Sequence, residues 1–233
     1  MSPSAYDRLT VNSPNPAARF AQRSRHERGI RLVKQHLSPS SAILDYGSNN
    51  GDFLNTLAGG GWTGPLYGYD PYVTPKAPSF TPVGSLGEIP DEVLDAVLAF
   101  ETLEHVDDHV LEEFISFCER SLRAGGVLII SVPIMIGPIL LLKYPNAVFI
   151  NKSRWRYSAW ELFRAAILWQ QVPRSKSGAY LDHKGFDYRV LRQRLACRFA
   201  PISIGYSPFP GLGPGLNSQA FMCFRAMSTS DRI

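Results

Sequence analysis

Cysteine is scarce in this 233-residue chain: Cys118, Cys197 and Cys223 lie far apart, with no Cys-x-x-Cys pair. An odd, scattered set argues against both a disulfide framework and a zinc knuckle, and it fits a reducing, cytoplasmic setting. Long apolar runs are missing too. The longest, Val127 to Leu142, is broken by Pro133, Gly137 and Pro138 and falls short of the roughly 20 residues a membrane-spanning helix needs. The N-terminus is rich in Pro, Ser and Arg and shows no apolar core of a secretory signal. No internal repeat is present. What remains is an ordinary globular composition, 45% hydrophobic and 19% charged, in a chain long enough for one sizeable domain.

Charge is unevenly spread. Residues 1–36 carry seven Lys/Arg against two acids, residues 37–142 three against fourteen, and residues 143–198 twelve against three. Two basic flanks around an acidic middle suggest contact with something anionic; the alternative is a solvated surface.

Residues 1–16 read as a flexible arm, and 17–233 as a single domain. Ala17 to Leu37 has helical character, with Phe20, Ile30, Val33 and Leu37 apolar and a basic face through Arg19, Arg23, Arg25, Arg28, Arg31 and Lys34. Strands are expected at 42–46, 65–69, near 80–83, at 94–100 and at 127–132. A helix opens at Asp52, and another runs from Asp108 to Arg123 with Gly125-Gly126 marking its end. Residues 133–182 mix aromatic, basic and apolar side chains and read as a helical lid inserted after the fifth strand. A helix at 189–195 and strands near 202–206 and 220–225 close the chain. Alternating strands and helices imply an α/β fold, a mostly parallel sheet covered on both faces.

The chemistry concentrates where strands end. Asp45 closes the first strand and is followed by the turn Gly47-Ser-Asn-Asn-Gly51 and a helix. Glycines there let backbone N–H groups approach a nucleotide-like ligand. Asp70, at the end of the next strand, is placed to accept hydrogen bonds from two ribose hydroxyls. Dinucleotide binding is disfavoured, because Asn49 occupies the second glycine of a Gly-x-Gly-x-x-Gly pattern.

The segments Ile43-Leu-Asp-Tyr-Gly-Ser-Asn-Asn-Gly, Tyr67-Gly-Tyr-Asp-Pro, Phe100-Glu-Thr-Leu-Glu-His-Val and Leu122-Arg-Ala-Gly-Gly-Val-Leu-Ile-Ile-Ser-Val-Pro resemble, in order, those of class I S-adenosylmethionine-dependent methyltransferases. The resemblance implies a Rossmann-like seven-stranded sheet with an antiparallel closing strand. It implies cofactor contacts at Asp45, Gly47, Ser48, Asn49, Gly51, Asp70, Pro71, Glu101 and Thr102, with Asp45, Gly47 and Gly51 at the methionine end and Asp70 at the ribose. Asn49 stands where many members have glycine, and asparagine tolerates positive φ better than most residues.

Glu101, Glu104 and His105 make a Glu-x-x-Glu-His cluster similar to the metal site of small-RNA and ubiquinone-biosynthesis O-methyltransferases. By the same likeness His183 is the further ligand of a divalent metal. The same residues otherwise shape the pocket, with His105, or else His183, as a base for a hydroxyl acceptor. His109 reads as surface. In the lid, Trp155, Trp160 and Trp169 suit an apolar or sugar ligand, while Arg154, Arg156 and Arg164 suit phosphate or carboxylate. Ile134, Ile136, Ile139 and Leu140 are candidates to face lipid in a peripheral membrane contact.

The sequence thus points to methyl transfer from S-adenosylmethionine to a hydroxyl of a small-molecule, sugar or lipid-linked acceptor. A non-catalytic S-adenosylmethionine-binding protein and a metal-assisted RNA methyltransferase are the alternatives.

Overall fold

The protein is described by a computed structural model over residues 16–73, 79–145, 157–174 and 183–227. Its helices are α1 (Pro16–His36), α2 (Asp52–Gly59), α3 (Asp108–Ser121), α4 (Ile139–Pro145), α5 (Ala159–Ala166) and α6 (Tyr188–Ala196). The strands are β1 (Ile43–Tyr46), β2 (Leu66–Tyr69), β3 (Thr81–Val83), β4 (Leu94–Phe100), β5 (Leu122–Pro133), β6 (Phe199–Ser207) and β7 (Gln219–Ala226). They form one sheet in the order β3-β2-β1-β4-β5-β7-β6. β1 to β5 pair in parallel, and β7 runs antiparallel to both β5 and β6. The alternation of elements implied the parallel part of this sheet, and the resemblance implied its Rossmann-like, seven-stranded form with an antiparallel closing strand.

The continuous apolar runs of β4 and β5 follow from helices covering both faces. Leu44, Val97, Ala99, Leu128 and Ile130 join one core with Phe114 and Cys118 of α3 and Leu191 of α6. Their neighbours Ile43, Ala96, Leu98, Val127 and Ile129 join the other with Leu32 and Val33 of α1 and Leu54 and Leu57 of α2. The period-2 alternation of a strand sorts one apolar run into two cores.

Helix α3 starts at the N-cap Asp107, whose carboxylate accepts from Val110 N–H at 2.9 Å. It ends earlier than expected. Leu122 already pairs with Leu94, and a register shift follows before Ala96 meets Val127. Gly125, at φ +77°, therefore serves an irregularity inside β5 rather than a helix end.

The lid differs from the expectation in which side it turns outward. Ile134, Ile136, Ile139 and Leu140 are buried, at 0%, 1%, 8% and 0% exposure, so they cannot face lipid. The segment leaving β5 is tied inward: Ile134 N–H donates to Ser218 O at 2.9 Å and Gly137 N–H to Ala165 O at 2.8 Å. Among the described residues of the lid, the exposed large apolar side chains are Leu141 and Leu142 of α4, with Trp160, Phe163, Ile167 and Leu168 on α5 and just beyond it. Trp160 and Phe163 stack with centroids 5.5 Å apart. Trp169 instead packs over Gly137. Trp155, Arg154 and Arg156 lie outside the described residues.

Candidate functional site

The loop between β1 and α2 is built as a cradle. Gly47 and Gly51 have φ of +82° and +80°, and Asn49 follows them into the left-handed region at +49°. Asparagine's tolerance of that region lets the turn stand without a third glycine. A side chain at Gly47 would meet Thr102, and one at Gly51 would meet the ring of Phe80. Gly47 and Ser48 N–H both donate to Tyr69 O, at 2.7 and 3.0 Å, tying the loop to the end of β2. Asp70 completes the brace: its carboxylate accepts from Asn49 N–H at 3.0 Å, Tyr72 N–H at 2.9 Å and Val73 N–H at 3.1 Å. A carboxylate offers about four acceptor positions, so a ribose diol would compete with the Tyr72 and Val73 contacts. Pro71 directly follows and is exposed.

A cleft opens above this loop. Its floor is Asp45, Gly47, Ser48, Asn49, Asn50 and Asp52, with Phe53 and Phe100, and α1 supplies the opposite wall through Gln22, Arg25, His26 and Gly29. Close packing demands glycine in that helix, since a Cβ on Gly29 would lie 2.9 Å from Phe53 and 3.4 Å from Phe100. Asn49 Oδ1 is buried with no hydrogen-bond partner, an unmet acceptor of the kind a ligand's N–H or O–H satisfies. A nucleoside-bearing cofactor with a polar tail fits such a lining.

Asp45 lies at the base of the cleft, 4% exposed. Burial, and then the charge of Asp70, pushes its carboxyl from 3.8 up to about 7. The folded protein holds this proton more tightly than the unfolded chain does. Stability from Asp45 is therefore full below pH 3.8 and lost as pH rises through about 7, a cost on the order of 4 kcal/mol once the group is ionised. Asp45→Asn is expected to raise the thermal midpoint of the ligand-free protein more at pH 8 than at pH 5. Equal gains at both pH values in differential scanning fluorimetry would refute this electrostatic account.

Beyond β4 the chain turns through Glu101, at φ +53°, and Thr102 into a short 3-10 turn, Leu103–His105. Glu101 faces α1: Arg25 Nη1 lies 3.1 Å from its Oε2. Ser131 Oγ donates to Oε1 at 3.3 Å and Gln219 Nε2 to Oε2 at 3.4 Å. Glu104 lies deeper, close to Glu101. It is fully buried, and neither carboxylate oxygen has a hydrogen-bond partner. Burial, and then the nearby Glu101, raises its pKa well above the usual carboxylate value. His105 Nε2 lies 3.8 Å from Glu104 Oε1 and 3.4 Å from His183 Nε2. Burial, followed by the neighbouring His105, Lys143 and Arg174, lowers the His183 pKa and keeps this ring neutral.

Three of the four expected metal ligands thus meet. Donor atoms of Glu104, His105 and His183 all lie within 4.8 Å of one another, and Glu101 turns to Arg25 instead. A buried carboxylate without hydrogen bonds beside two imidazoles is a donor set that suits a divalent ion. His109 is separate and exposed, 3.6 Å from Glu113.

Two features were not legible beforehand. Lys143, half-buried on α4, donates to Ser218 O at 2.6 Å and Ile134 O at 3.1 Å. Burial lowers its pKa to about 8, against the opposing pull of Glu101 and Glu104. The other is the α1 wall. The basic residues of that helix were visible, but nothing local told which of them turn inward. Arg25 does, and Arg28 lies over the Phe221 ring at 5.4 Å, while Arg23 pairs with Glu27 on the exposed surface.

A profile of the methyltransferase domain family matches residues 18–181, most of the chain. No curated protein matches it in sequence. Among solved structures it is similar to the PH0226 protein of Pyrococcus horikoshii OT3, at 14% identity over 96% of this chain and 97% of that one, TM-score 0.62. It is similar to the 1,6-didemethyltoxoflavin-N1-methyltransferase of Burkholderia thailandensis, at 14% identity over 97% and 87%, TM-score 0.60. A third is the magnesium protoporphyrin IX methyltransferase of Synechocystis PCC 6803, at 14% identity over 96% and 94%, TM-score 0.54. Both of the latter hold S-adenosylhomocysteine. At such identities the likeness is one of fold, and the profile match carries the assignment: the chain belongs to the class I S-adenosylmethionine-dependent methyltransferases.

Proposed function

We propose that this methyltransferase acts on a hydroxyl of a small-molecule, sugar or lipid-linked acceptor, with His105 as the base. The observation that carries this reading is the His105–His183 pair, 3.4 Å apart, at the end of the strand whose next residues, Glu101 and Thr102, adjoin the cofactor cleft. S-adenosylmethionine supplies a methyl carbon already activated by its sulfonium, so the protein's task is alignment, exclusion of water and removal of the acceptor's proton. Asp45 and Asp70 orient the cofactor, and His105, its side chain 41% exposed, takes the proton.

The exposed Leu141, Leu142, Trp160, Phe163, Ile167 and Leu168 favour an amphipathic acceptor. Residues 143–174 carry six Lys/Arg against the single acid Glu161, a composition that suits an acceptor with an anionic group. Incubating the protein with methyl-labelled S-adenosylmethionine and a cell extract is expected to place label, in alkali-stable ether linkage, in a solvent-extractable molecule. Label released by alkali, or found in protein, would overturn the acceptor reading. Tight cofactor binding without transfer would mark a non-catalytic binding protein.

A second reading rests on the orphaned Glu104 carboxylate. A divalent ion held by Glu104, His105 and His183 would lower the pKa of the acceptor hydroxyl, as in metal-assisted RNA methylation. Stoichiometric metal in gently purified protein, together with label in RNA, would favour it.

A further inference from the structure

Exposed large apolar side chains collect in one part of this molecule. Among the described residues all of them but Tyr72, Val93 and Val190 fall on three stretches: the start of α1, the lid, and the loop between β6 and β7. Contiguous apolar patches are uncommon on soluble monomers and mark contact surfaces. The three stretches are neighbours in space. Phe20 of α1 meets Phe209 of the loop, with ring centroids 6.3 Å apart. Further along, the loop's 3-10 turn Pro214–Leu216 packs against α4, and α4 packs against α5. A Cβ on Gly215 would stand 3.6 Å from Pro138 and 3.7 Å from Trp169, so the loop backbone lies close to the lid. A continuous band thus runs from α1 over the loop to α5.

The loop holds its share of the band in place. Asn217 is fully buried. Its Oδ1 accepts from Phe209 N–H at 2.7 Å, and its Nδ2 lies 3.0 Å from the carbonyl oxygens of Phe209, Leu212 and Gly213. Pro208, Pro210 and Pro214 fix φ at three further points. Phe209, Leu212 and Leu216 are therefore kept outward, at 48%, 47% and 57% exposure, rather than folding back onto the core. The next two residues join the loop to the site. Ser218 O accepts from Ile134 N–H and from Lys143, and Gln219 Nε2 donates to Glu101. Gln219 also pairs with Pro133 at the end of β5, so the band lies at the edge of the sheet where β1, β2 and β4 lead into Asp45, Asp70 and Glu101. None of these loop side chains lines the cofactor cleft; they project beside it.

Charge points to the occupant. Residues 16–36 carry six Lys/Arg against Glu27 alone, and residues 139–174 carry six against Glu161 alone. Both acids are already paired, Glu27 with Arg23 at 2.8 Å and Glu161 with Lys184 at 2.9 Å. Arg19 and Arg23, which flank Phe20 along α1, are exposed. Apolar side chains projecting from a basic surround match an anionic lipid surface, with apolar tips entering the acyl boundary and cations meeting the headgroups. A second copy docked face to face through the same band would set like charge against like.

We propose that this band is a docking surface for an anionic lipid bilayer, which it brings to the mouth of the active site. The proposal reaches beyond the acceptor reading, because it concerns where the enzyme works, whichever group it methylates.

Vesicle flotation of the full chain tests it without turnover. The protein is expected to float with vesicles of equimolar phosphatidylcholine and phosphatidylglycerol, and to do so more weakly with phosphatidylcholine alone or at high salt. Replacing both loop leucines, Leu212→Ser with Leu216→Ser, is expected to weaken partitioning by on the order of tenfold, since two side chains no longer enter the bilayer. Val190→Ser, an exposed apolar position on α6 outside the band, is expected to bind as wild type does. Unchanged S-adenosylhomocysteine affinity reports that each variant is folded. No flotation of the wild type, or equal flotation of the double variant, would overturn the proposal. So would a dimer in solution that the same two substitutions dissociate, which would give the face to a second copy. Loss of methyl transfer to any extractable acceptor would defeat the acceptor reading and leave the flotation result standing.

Discussion

If Asp70 holds the ribose as the family resemblance implies, Asp70→Ala is expected to raise the dissociation constant for S-adenosylmethionine by on the order of 100-fold or more, since two charge-assisted hydrogen bonds would be lost together. The substitution also frees Asn49, Tyr72 and Val73 N–H from their common acceptor, so the loop loses its brace as well as its ligand contact. Asp70→Asn divides the two effects. It keeps one acceptor oxygen for the loop but gives up the charge, and an intermediate loss is expected. 5′-Methylthioadenosine retains the ribose, so its binding should fall with Asp70→Ala as well. Calorimetry showing near-wild-type affinity in Asp70→Ala would remove the ribose assignment.

His105→Ala is expected to lower kcat by roughly 10²- to 10⁴-fold, the range for loss of a general base, with cofactor affinity nearly unchanged. His105 is partly exposed, so its truncation should leave stability within about 0.5 kcal/mol. A fall in rate would then report chemistry rather than folding. Glu104→Gln distinguishes a base from a metal ligand. The amide preserves the buried shape, so a pure base mechanism tolerates it far better than a metal site does. A kcat for His105→Ala within about threefold of wild type would eliminate His105 as the base, and equal collapse of the His105, His183 and Glu104 variants with loss of bound metal would favour the ion.

Much of the cofactor side could be read from short-range pattern. Asp45, the glycine turn and Asp70 lie at the ends of consecutive strands, and a parallel sheet brings consecutive strand ends to one edge. The turn even tolerated Asn49 for the reason its side chain suggested. Glu101 is the instructive exception. Its spacing from Glu104 and His105 matched a ligand set, yet its carboxylate pairs with Arg25 and is not among the donors that Glu104, His105 and His183 bring within 4.8 Å of one another. A spacing rule records intervals along the chain and not the direction of each side chain.

Alternation of apolar segments with glycine turns and acids determined, without further information, the α/β class, the succession of strands and helices along the chain and the place of the glycine turn after the first strand. These depend on interactions within a strand, a turn or a strand pair, and local stereochemistry governs them. Only the tertiary structure decided that Arg25 faces Glu101, that His183 crosses the chain to meet His105, and that the lid buries Ile134 to Leu140 while exposing Trp160 and Phe163. Each of these turns on which face of an element meets a partner distant in sequence. That choice is made by the packing of the whole core, where many residues compete for the same interior.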